Sequence, residues 1–371
     1  MTPSMGTRFG FETASPRSPE SGERAFVSVV VPMYNEGGPA VERNLAAVCE
    51  QMRRLEHDYR WELIVVDDGS ADETGTAADL FAKGRANVTV VHHRVNRGLG
   101  QSLRTGFDHA LGRYIVTLDA DLSYGPEHIE PLLREIESSG ASIVIASPYM
   151  SGGSASNVPW LRLLLSRNAN RFLRFLLFGK IATFTGMVRA YDGDFLRSIN
   201  LRELGAEINP RIIHKARILN AKVCEIPARL NWPEERRSQS RSSYGKLFRE
   251  TLSVLFSGFM LRPHLYFLIP GMLLLALAFY AGFWTTVHVF EQHAVLTAAG
   301  LDHGYDDAVA AAFVHFPHDF FIGGVALMLA IQFIGLAVVS LQNKMYFDEL
   351  YRLSSSIYCS RQPERKRAID Q

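Results

Sequence analysis

Two aspartates stand one residue apart in Asp119-Ala120-Asp121, directly after the apolar run Tyr114-Ile115-Val116-Thr117-Leu118. The run reads as a buried strand that stops on two carboxylates before the break at Gly125-Pro126. Side chains two apart on a strand leave on the same side, so the two carboxylates are expected to converge. Two anions so placed repel each other unless a cation sits between them. A hard divalent ion, Mg2+ or Mn2+, suits carboxylate oxygens and keeps positions open for phosphate oxygens. For an isolated pair, a solvated acidic turn is the plainer reading, so the surrounding elements decide.

Those elements repeat one pattern. Residues 26–33 (FVSVVVPM) form a β-branched strand that ends in Tyr34-Asn35-Glu36-Gly37-Gly38, before a helix over about 39–54. Residues 63–66 form a second strand, ending in Asp67-Asp68-Gly69-Ser70, with Ser70 or Asp72 placed to cap the next helix. A third strand covers 88–91, and Asn96-Arg97-Gly98-Leu99-Gly100 opens a helix running to about Ala110. A helix over about 127–138 and a strand over 142–146 follow the aspartates. Strands alternating with helices imply a parallel-type sheet covered on both faces. In such sheets ligands sit outside the carboxyl ends of the strands. Three polar strand ends, at Tyr34-Asn35-Glu36, Asp67-Asp68 and Asp119 with Asp121, therefore make one site. Taken singly, Asn35 and Asp67 could be caps and Glu36 a solvated loop residue.

Composition sets the frame. The 371 residues carry 39 Lys and Arg against 38 Asp and Glu, and no nucleic acid partner is expected. Cys49, Cys224 and Cys359 show no metal or redox spacing, which fits a reducing compartment without disulfides. Residues 1–24 are rich in Ser, Pro, Gly, Arg and Glu, and read as a disordered tail and not as a signal peptide.

Four motifs, V-P-M-Y-N-E at 31–36, D-D-G-S at 67–70, N-R-G-L-G at 96–100 and D-A-D-L-S at 119–123, together resemble the family 2 glycosyltransferases of GT-A fold. Within that family the closer resemblance is to dolichol-phosphate mannose synthase and the bacterial polyprenyl-phosphate glycosyltransferases. The resemblance continues through Ser166-Arg167-Asn168-Ala169-Asn170, the T-G-M-V-R-A-Y of 185–191 and the segment from Arg236 to Arg241, and covers roughly residues 26–250.

The resemblance implies a GT-A, Rossmann-like, doubly wound mixed sheet of α/β class. It implies that Pro32, Tyr34 and Glu36 hold the base and ribose of a nucleotide sugar and that Asp68 hydrogen-bonds the base. Asp119, Ala120 and Asp121 would receive the diphosphate, with Asp119 and Asp121 ligating Mg2+ or Mn2+. Asp121, Arg167 and Arg236 would be catalytic, and Arg241 takes the place of the lysine in the family's R-x-G-x-S-K segment. A guanidinium matches phosphate with two hydrogen bonds, which suits the joining of two anionic substrates. The implied reaction is a direct, inverting transfer of a hexose from a GDP- or UDP-sugar to a polyprenyl (dolichyl or undecaprenyl) phosphate. That acceptor is already anionic and needs no strong general base. Pro148, Ser123, Ala182 and Arg211 depart from family residues (an arginine, a glutamine, an aspartate and a glutamate), which leaves the sugar and the acceptor open.

Residues 265–290 and 320–341 are each long enough to cross ~30 Å of hydrocarbon and contain no charge. Pro270 and Gly271 are tolerable in such a helix. The linking segment carries Glu291, Asp302, Asp306, Asp307 and Asp319, while Arg249, Arg262, Lys344, Arg352, Arg361, Arg365, Lys366 and Arg367 flank the pair. This charge bias places the catalytic domain and both termini in the cytoplasm. Trp160 to Phe178, with Arg162, Arg167, Arg171 and Arg174, reads as an amphipathic helix at the bilayer surface, and so does Lys246 to Leu261. The expected organisation is a tail at 1–24, a catalytic domain at 25–235, a basic juxtamembrane segment at 236–263, two spans within 264–342 and a cytoplasmic tail at 343–371. The expected partners are a nucleotide sugar, a polyprenyl phosphate and the lipid bilayer, with a homo-oligomer left open.

Other readings meet specific objections. A processive polysaccharide synthase carries Q-x-x-R-W and more spans. A nucleotidyltransferase expects a Gly-rich loop with arginine after the first strand, where this chain has Tyr34-Asn35-Glu36. Gly98-Leu99-Gly100 lacks the third glycine and the first-strand position of a dinucleotide fingerprint. Transfer to another membrane lipid or glycan remains an alternative, as does a non-catalytic membrane scaffold.

Overall fold

The computed structural model describes residues 24–177, 181–232, 262–298 and 304–369. The chain forms two compact units, Met1–Leu255 with Ser354–Gln371, and Phe256–Leu353.

The first unit is built on a seven-stranded mixed sheet. Its strands are β1 (Ala25–Met33), β2 (Tyr59–Asp67), β3 (Val88–His92), β4 (Tyr114–Thr117), β5 (Ile143–Ser147), β7 (Arg189–Asp192) and β8 (Val223–Pro227), in the order β3-β2-β1-β4-β7-β5-β8. All neighbours are parallel except β7, which runs antiparallel between β4 and β5. A parallel pair, β6 (Ser154–Ser156) with β9 (Arg229–Asn231), makes a second small sheet. The β-branched runs that fill β1, β2 and β5 are buried on both faces, as parallel sheets require.

The helices are α1 (Gly38–Arg54), α2 (Thr74–Ala82), α3 (Leu99–His109), α4 (Ile129–Ser139), α5 (Trp160–Leu177), α6 (Gly193–Ser198) and α7 (Ile208–Ile218). On one face of the sheet α1, α2 and α4 bury Val41, Leu45, Ala78 and Leu132 in a core shared with Val27, Val29 and Val31. On the other face α3 packs so closely that a Cβ on Gly106 would lie 2.3 Å from Val30 Cγ1. Alternate residues of β1 thus serve opposite helical layers, and the expected doubly wound sheet is present.

Three local expectations change. The strand before the aspartates ends at Thr117, not Leu118. Asp119-Ala120-Asp121 therefore occupies a turn, and strand alternation does not govern its side chains. The helix expected from Asn96 begins at Leu99, because Asn96–Gly98 is held as a loop. Ser70 is not the cap of α2; it accepts from the Asn35 N–H instead. Asp72 does serve the helix start, accepting from the Thr74 N–H at 3.0 Å.

In the second unit Pro263–Ala298 and the helix beginning at Pro317 are long and apolar enough to cross a membrane. They contain the two expected spans. Pro270 lies inside the first helix.

Candidate functional site

The carboxyl ends of β1 and β2 lie side by side, Met33 pairing with Asp67, and Asp68 N–H donates to Met33 O. The two loops that follow are clasped together. Asn35 N–H donates to Ser70 Oγ and Ala71 N–H to Asn35 Oδ1. Glu36 N–H donates to Thr74 Oγ1, and Gly37 N–H to Asp72 Oδ2 at 3.0 Å. Burial works against the Asp72 carboxylate, but the Thr74 hydroxyl and the N–H groups of Thr74 and Gly37 outweigh it and hold its pKa below the usual range. The clasp fixes the backbone of residues 34–37 while leaving Tyr34 42% exposed. Pro32 is buried in β1 opposite Val66, so it shapes the strand end from within.

Asp68 is buried at 3%. Its carboxylate accepts from Arg97 N–H at 3.0 Å and Gly98 N–H at 2.8 Å, and lies 2.6 Å from His93 Nδ1. Its principal contacts therefore bind the 96–98 loop to the end of β2. Beside it, Asp67 and Asp79 bracket His92, each at 3.0 Å. Burial disfavours the charged ring, but the two aspartates outweigh it and raise the His92 pKa.

The aspartate turn sits at the end of β4. Leu118 N–H still donates to Val30 O, and Asn44 of α1 donates from Nδ2 to Ala120 O at 2.8 Å. Ala120 is buried, while Asp119 and Asp121 are half-buried. Leu122 closes the turn at φ +47°, a left-handed conformation that costs a branched residue on the order of 1 kcal/mol or more. Asp121 Oδ1 accepts from Ser123 N–H at 2.9 Å. Ser123 Oγ is buried without a hydrogen-bond partner.

These donors fit a magnesium- or manganese-type ion. Two carboxylates and an orphaned hydroxyl are hard oxygen ligands, and no group of three or more His, Cys, Asp or Glu is gathered among the described residues. That donor set suits an ion completed by substrate phosphates and water more than an all-protein cage.

Tyr124 joins the turn to the next part of the site. Its buried hydroxyl is pushed up in pKa first by burial, then by the charges of Asp119 and Tyr149. Tyr149 follows β5 and donates its hydroxyl to Ser166 of α5 at 2.8 Å. From there Pro148, Tyr149, Arg167, Asn170, Arg171 and Arg174 line a cleft of about 480 Å³. Arg162 stacks over Trp232 at 4.2 Å, Arg167 lies over Tyr149 at 6.0 Å, and Arg174 Nε donates to Ile181 O. Three of the four arginines expected at a bilayer surface thus contact their own domain, whereas Trp160, Leu164 and Phe175 of the same helix are exposed. Arg236, Arg241 and the segment from Lys246 to Leu261 lie outside the described residues.

Several supporting residues are assigned no role by sequence reasoning, although Asn170 and Arg189 lie within the quoted motifs. Asn170 is 2% exposed. Its Oδ1 accepts from Phe184 N–H at 2.7 Å and Thr185 N–H at 3.2 Å, and its Nδ2 donates to Ser166 O. Glu225 receives the N–H groups of Ala182 and Thr183. Arg189, fully buried in β7, donates to the carbonyls of Phe184, Gly186 and Asn209, and burial pulls its pKa down. Together they fix the backbone of 182–186 beside the cleft.

Comparison with known proteins follows the same stretch. The Glycosyl transferase family 2 profile matches residues 28–199. The polyprenol monophosphomannose synthase of Mycolicibacterium smegmatis is 38% identical over 179 residues, 47% of this chain and 64% of that protein. The dolichol-phosphate mannosyltransferase of Pyrococcus furiosus is 31% identical over 204 residues, 54% of this chain and 55% of that protein. The undecaprenyl-phosphate mannosyltransferase of Micrococcus luteus is 30% identical over 225 residues, 59% of this chain and 88% of that protein. The chain belongs to glycosyl transferase family 2. Membership bears out the resemblance carried by the four motifs. All four motifs of this family 2 chain end or follow strands of one sheet edge, or open a helix beside it.

Proposed function

We propose that this family 2 chain is a membrane-anchored, inverting glycosyltransferase. It moves a hexose from a GDP- or UDP-linked sugar to a polyprenyl phosphate at the cytoplasmic membrane face, making a lipid-linked sugar. The observation that carries this reading is the strained Asp119–Leu122 turn, fastened by Asn44 beside the clasped ends of β1 and β2. The similarity to an undecaprenyl-phosphate mannosyltransferase over 88% of that protein supports the acceptor class.

In this reading Tyr34 and Glu36 meet the base and ribose, with Pro32 setting the strand end behind them. Asp68 fixes the 96–98 loop and offers remaining acceptor capacity to the base. Asp119 and Asp121 would hold the Mg2+ or Mn2+ ion, with the backbone at Ala120 alongside the diphosphate. When bound, that ion supplies charge stabilisation to the departing diphosphate. An oxygen of the lipid phosphate forms a bond to the anomeric carbon as the bond from that carbon to the diphosphate oxygen breaks. The electron pair leaves with the nucleoside diphosphate, and no proton has to be removed from the acceptor.

Arg167 faces the cleft from which the acceptor phosphate would approach. In this reading Arg236 and Arg241 join Arg167 in binding the two anionic substrates. The two long apolar helices would hold the enzyme where the acceptor resides, because each CH2 drawn from the bilayer costs ~0.8 kcal/mol.

Detergent-purified protein incubated with undecaprenyl or dolichyl phosphate and a panel of nucleotide sugars tests the proposal. An organic-soluble, sugar-labelled lipid is expected with at least one donor. Transfer only to a diacyl lipid or a glycan would replace the acceptor class. Absence of transfer from every donor the protein binds would favour the scaffold.

A further inference from the structure

We propose that Arg171, one helical turn beyond Arg167, binds the acceptor phosphate, and that its cleft is built for a phosphate monoester dianion. The inference rests on transfer to a lipid phosphate as proposed above and assigns that step a residue outside the motifs.

Arg167, Arg171 and Arg174 follow one another at helical spacings of four and three, so they share one face of α5. All three line the same cleft. Among the described residues no acidic side chain lines it, and none of the three is paired with a carboxylate. Like charges one turn apart repel by a few tenths of a kcal/mol per pair, so the arrangement is relieved by an anion of more than one charge. A phosphate monoester near pH 7 carries about −1.5 to −2.

The three arginines are not equivalent. Arg167 lies over the Tyr149 ring, and Arg174 is anchored through Nε on Ile181 O. Across the cleft Pro148 offers neither an N–H nor a side-chain donor. The walls are rigid, since Tyr149 is fixed to Ser166, and Asn170 to the 184–185 backbone. The phosphate oxygens not met by Arg167 must therefore be met from α5. Arg171 is exposed and lies next along that face. Its fork can take two oxygens at once.

The test uses the full chain in detergent with three probes: farnesyl phosphate, farnesol and the nucleoside diphosphates GDP and UDP. Wild type is expected to bind farnesyl phosphate far better than farnesol. Arg171→Ala should weaken farnesyl phosphate about tenfold to a hundredfold, the range for a hydrogen-bonded charged group. Affinity for the nucleoside diphosphate should stay unchanged, which also reports an intact fold. Arg171→Lys should lie between the two. Placing the guanidinium on the opposite wall, Pro148→Arg with Arg171→Ala, should restore part of the loss, which a merely structural role would not do. The gap between wild type and Arg171→Ala should widen as pH rises through about 6, where the monoester gains its second charge. Unchanged farnesyl phosphate affinity in a folded Arg171→Ala protein would overturn the assignment and leave the proposed function standing. An equal loss for GDP or UDP would move Arg171 to the donor. Wild type binding farnesol as well as farnesyl phosphate would remove the proposed function along with the inference.

Discussion

Replacing Asn170 with alanine is the sharpest structural perturbation of the cleft. The amide is buried at 2% and accepts two backbone N–H groups, from Phe184 and Thr185. Phe184 is itself fully buried, so water cannot replace its lost partner. Leaving one buried donor unmade costs about 1–3 kcal/mol, and the half-buried Thr185 adds less. A total of roughly 2–4 kcal/mol should fall on the local opening of residues 182–186. Hydrogen exchange read by mass spectrometry on that peptide should then speed up roughly 30-fold to 1000-fold, at 1.36 kcal/mol per factor of ten. Asn170→Asp keeps the acceptor oxygen and should lose much less protection there. Unchanged exchange in Asn170→Ala would show that Glu225 and Arg189 hold the loop unaided and that α5 is not clasped through Asn170.

Three further outcomes are expected. Asp121→Asn keeps an acceptor for the Ser123 N–H, so it should fold and insert yet lose about a hundredfold or more in transfer, as when one charge-stabilising group is removed; full activity, or full wild-type activity in excess chelator, would contradict the metal assignment. His92 has its folded pKa raised above the ordinary 6.5 by Asp67 and Asp79 against the effect of burial. Its contribution to stability is therefore fully present below the unfolded pKa and is lost as pH rises through the folded value. The melting temperature of wild type should fall more than that of His92→Gln across that window, and parallel curves would remove the linkage. A cysteine at Gly304, in the acidic link between the apolar helices, should label from the outer face of intact cells, and labelling only after permeabilisation would invert the topology.

Local regularities made much of the fold legible. Runs such as FVSVVVPM need only β-branched packing to be read as buried strands, and the polar residues that follow them mark the ligand edge of a parallel sheet. Arg189 conceals β7, because a four-residue strand with a charged first residue gives no periodic signal, and the buried guanidinium is satisfied by the carbonyls of Phe184, Gly186 and Asn209. Leu118 reads as part of β4 because its N–H still donates to Val30 O, yet the strand ends at Thr117. Within the site, the aspartates and tyrosine were visible by type. Their supports were not: Asn44 holds Ala120 from 76 residues away, and His93 meets Asp68 from 25. Contacts of that separation follow from tertiary placement, which no window of sequence contains. Helical spacing sets the arginines of α5 among leucines but gives no sign of their partners: aromatic rings and a carbonyl of the same domain receive three of them.

The central claim is hexosyl transfer to a lipid phosphate, with a phosphate oxygen of the acceptor bonded to the anomeric carbon. It is tested most directly by following phosphorus and oxygen through one turnover. Polyprenyl phosphate carrying 18O in its phosphate is incubated with the donor sugar, and both products are weighed by mass spectrometry. The account predicts unlabelled nucleoside diphosphate and a lipid-linked sugar that contains one phosphorus and all of the 18O. Release of nucleoside monophosphate with a two-phosphorus lipid product would show transfer of a sugar phosphate instead, and would contradict the account.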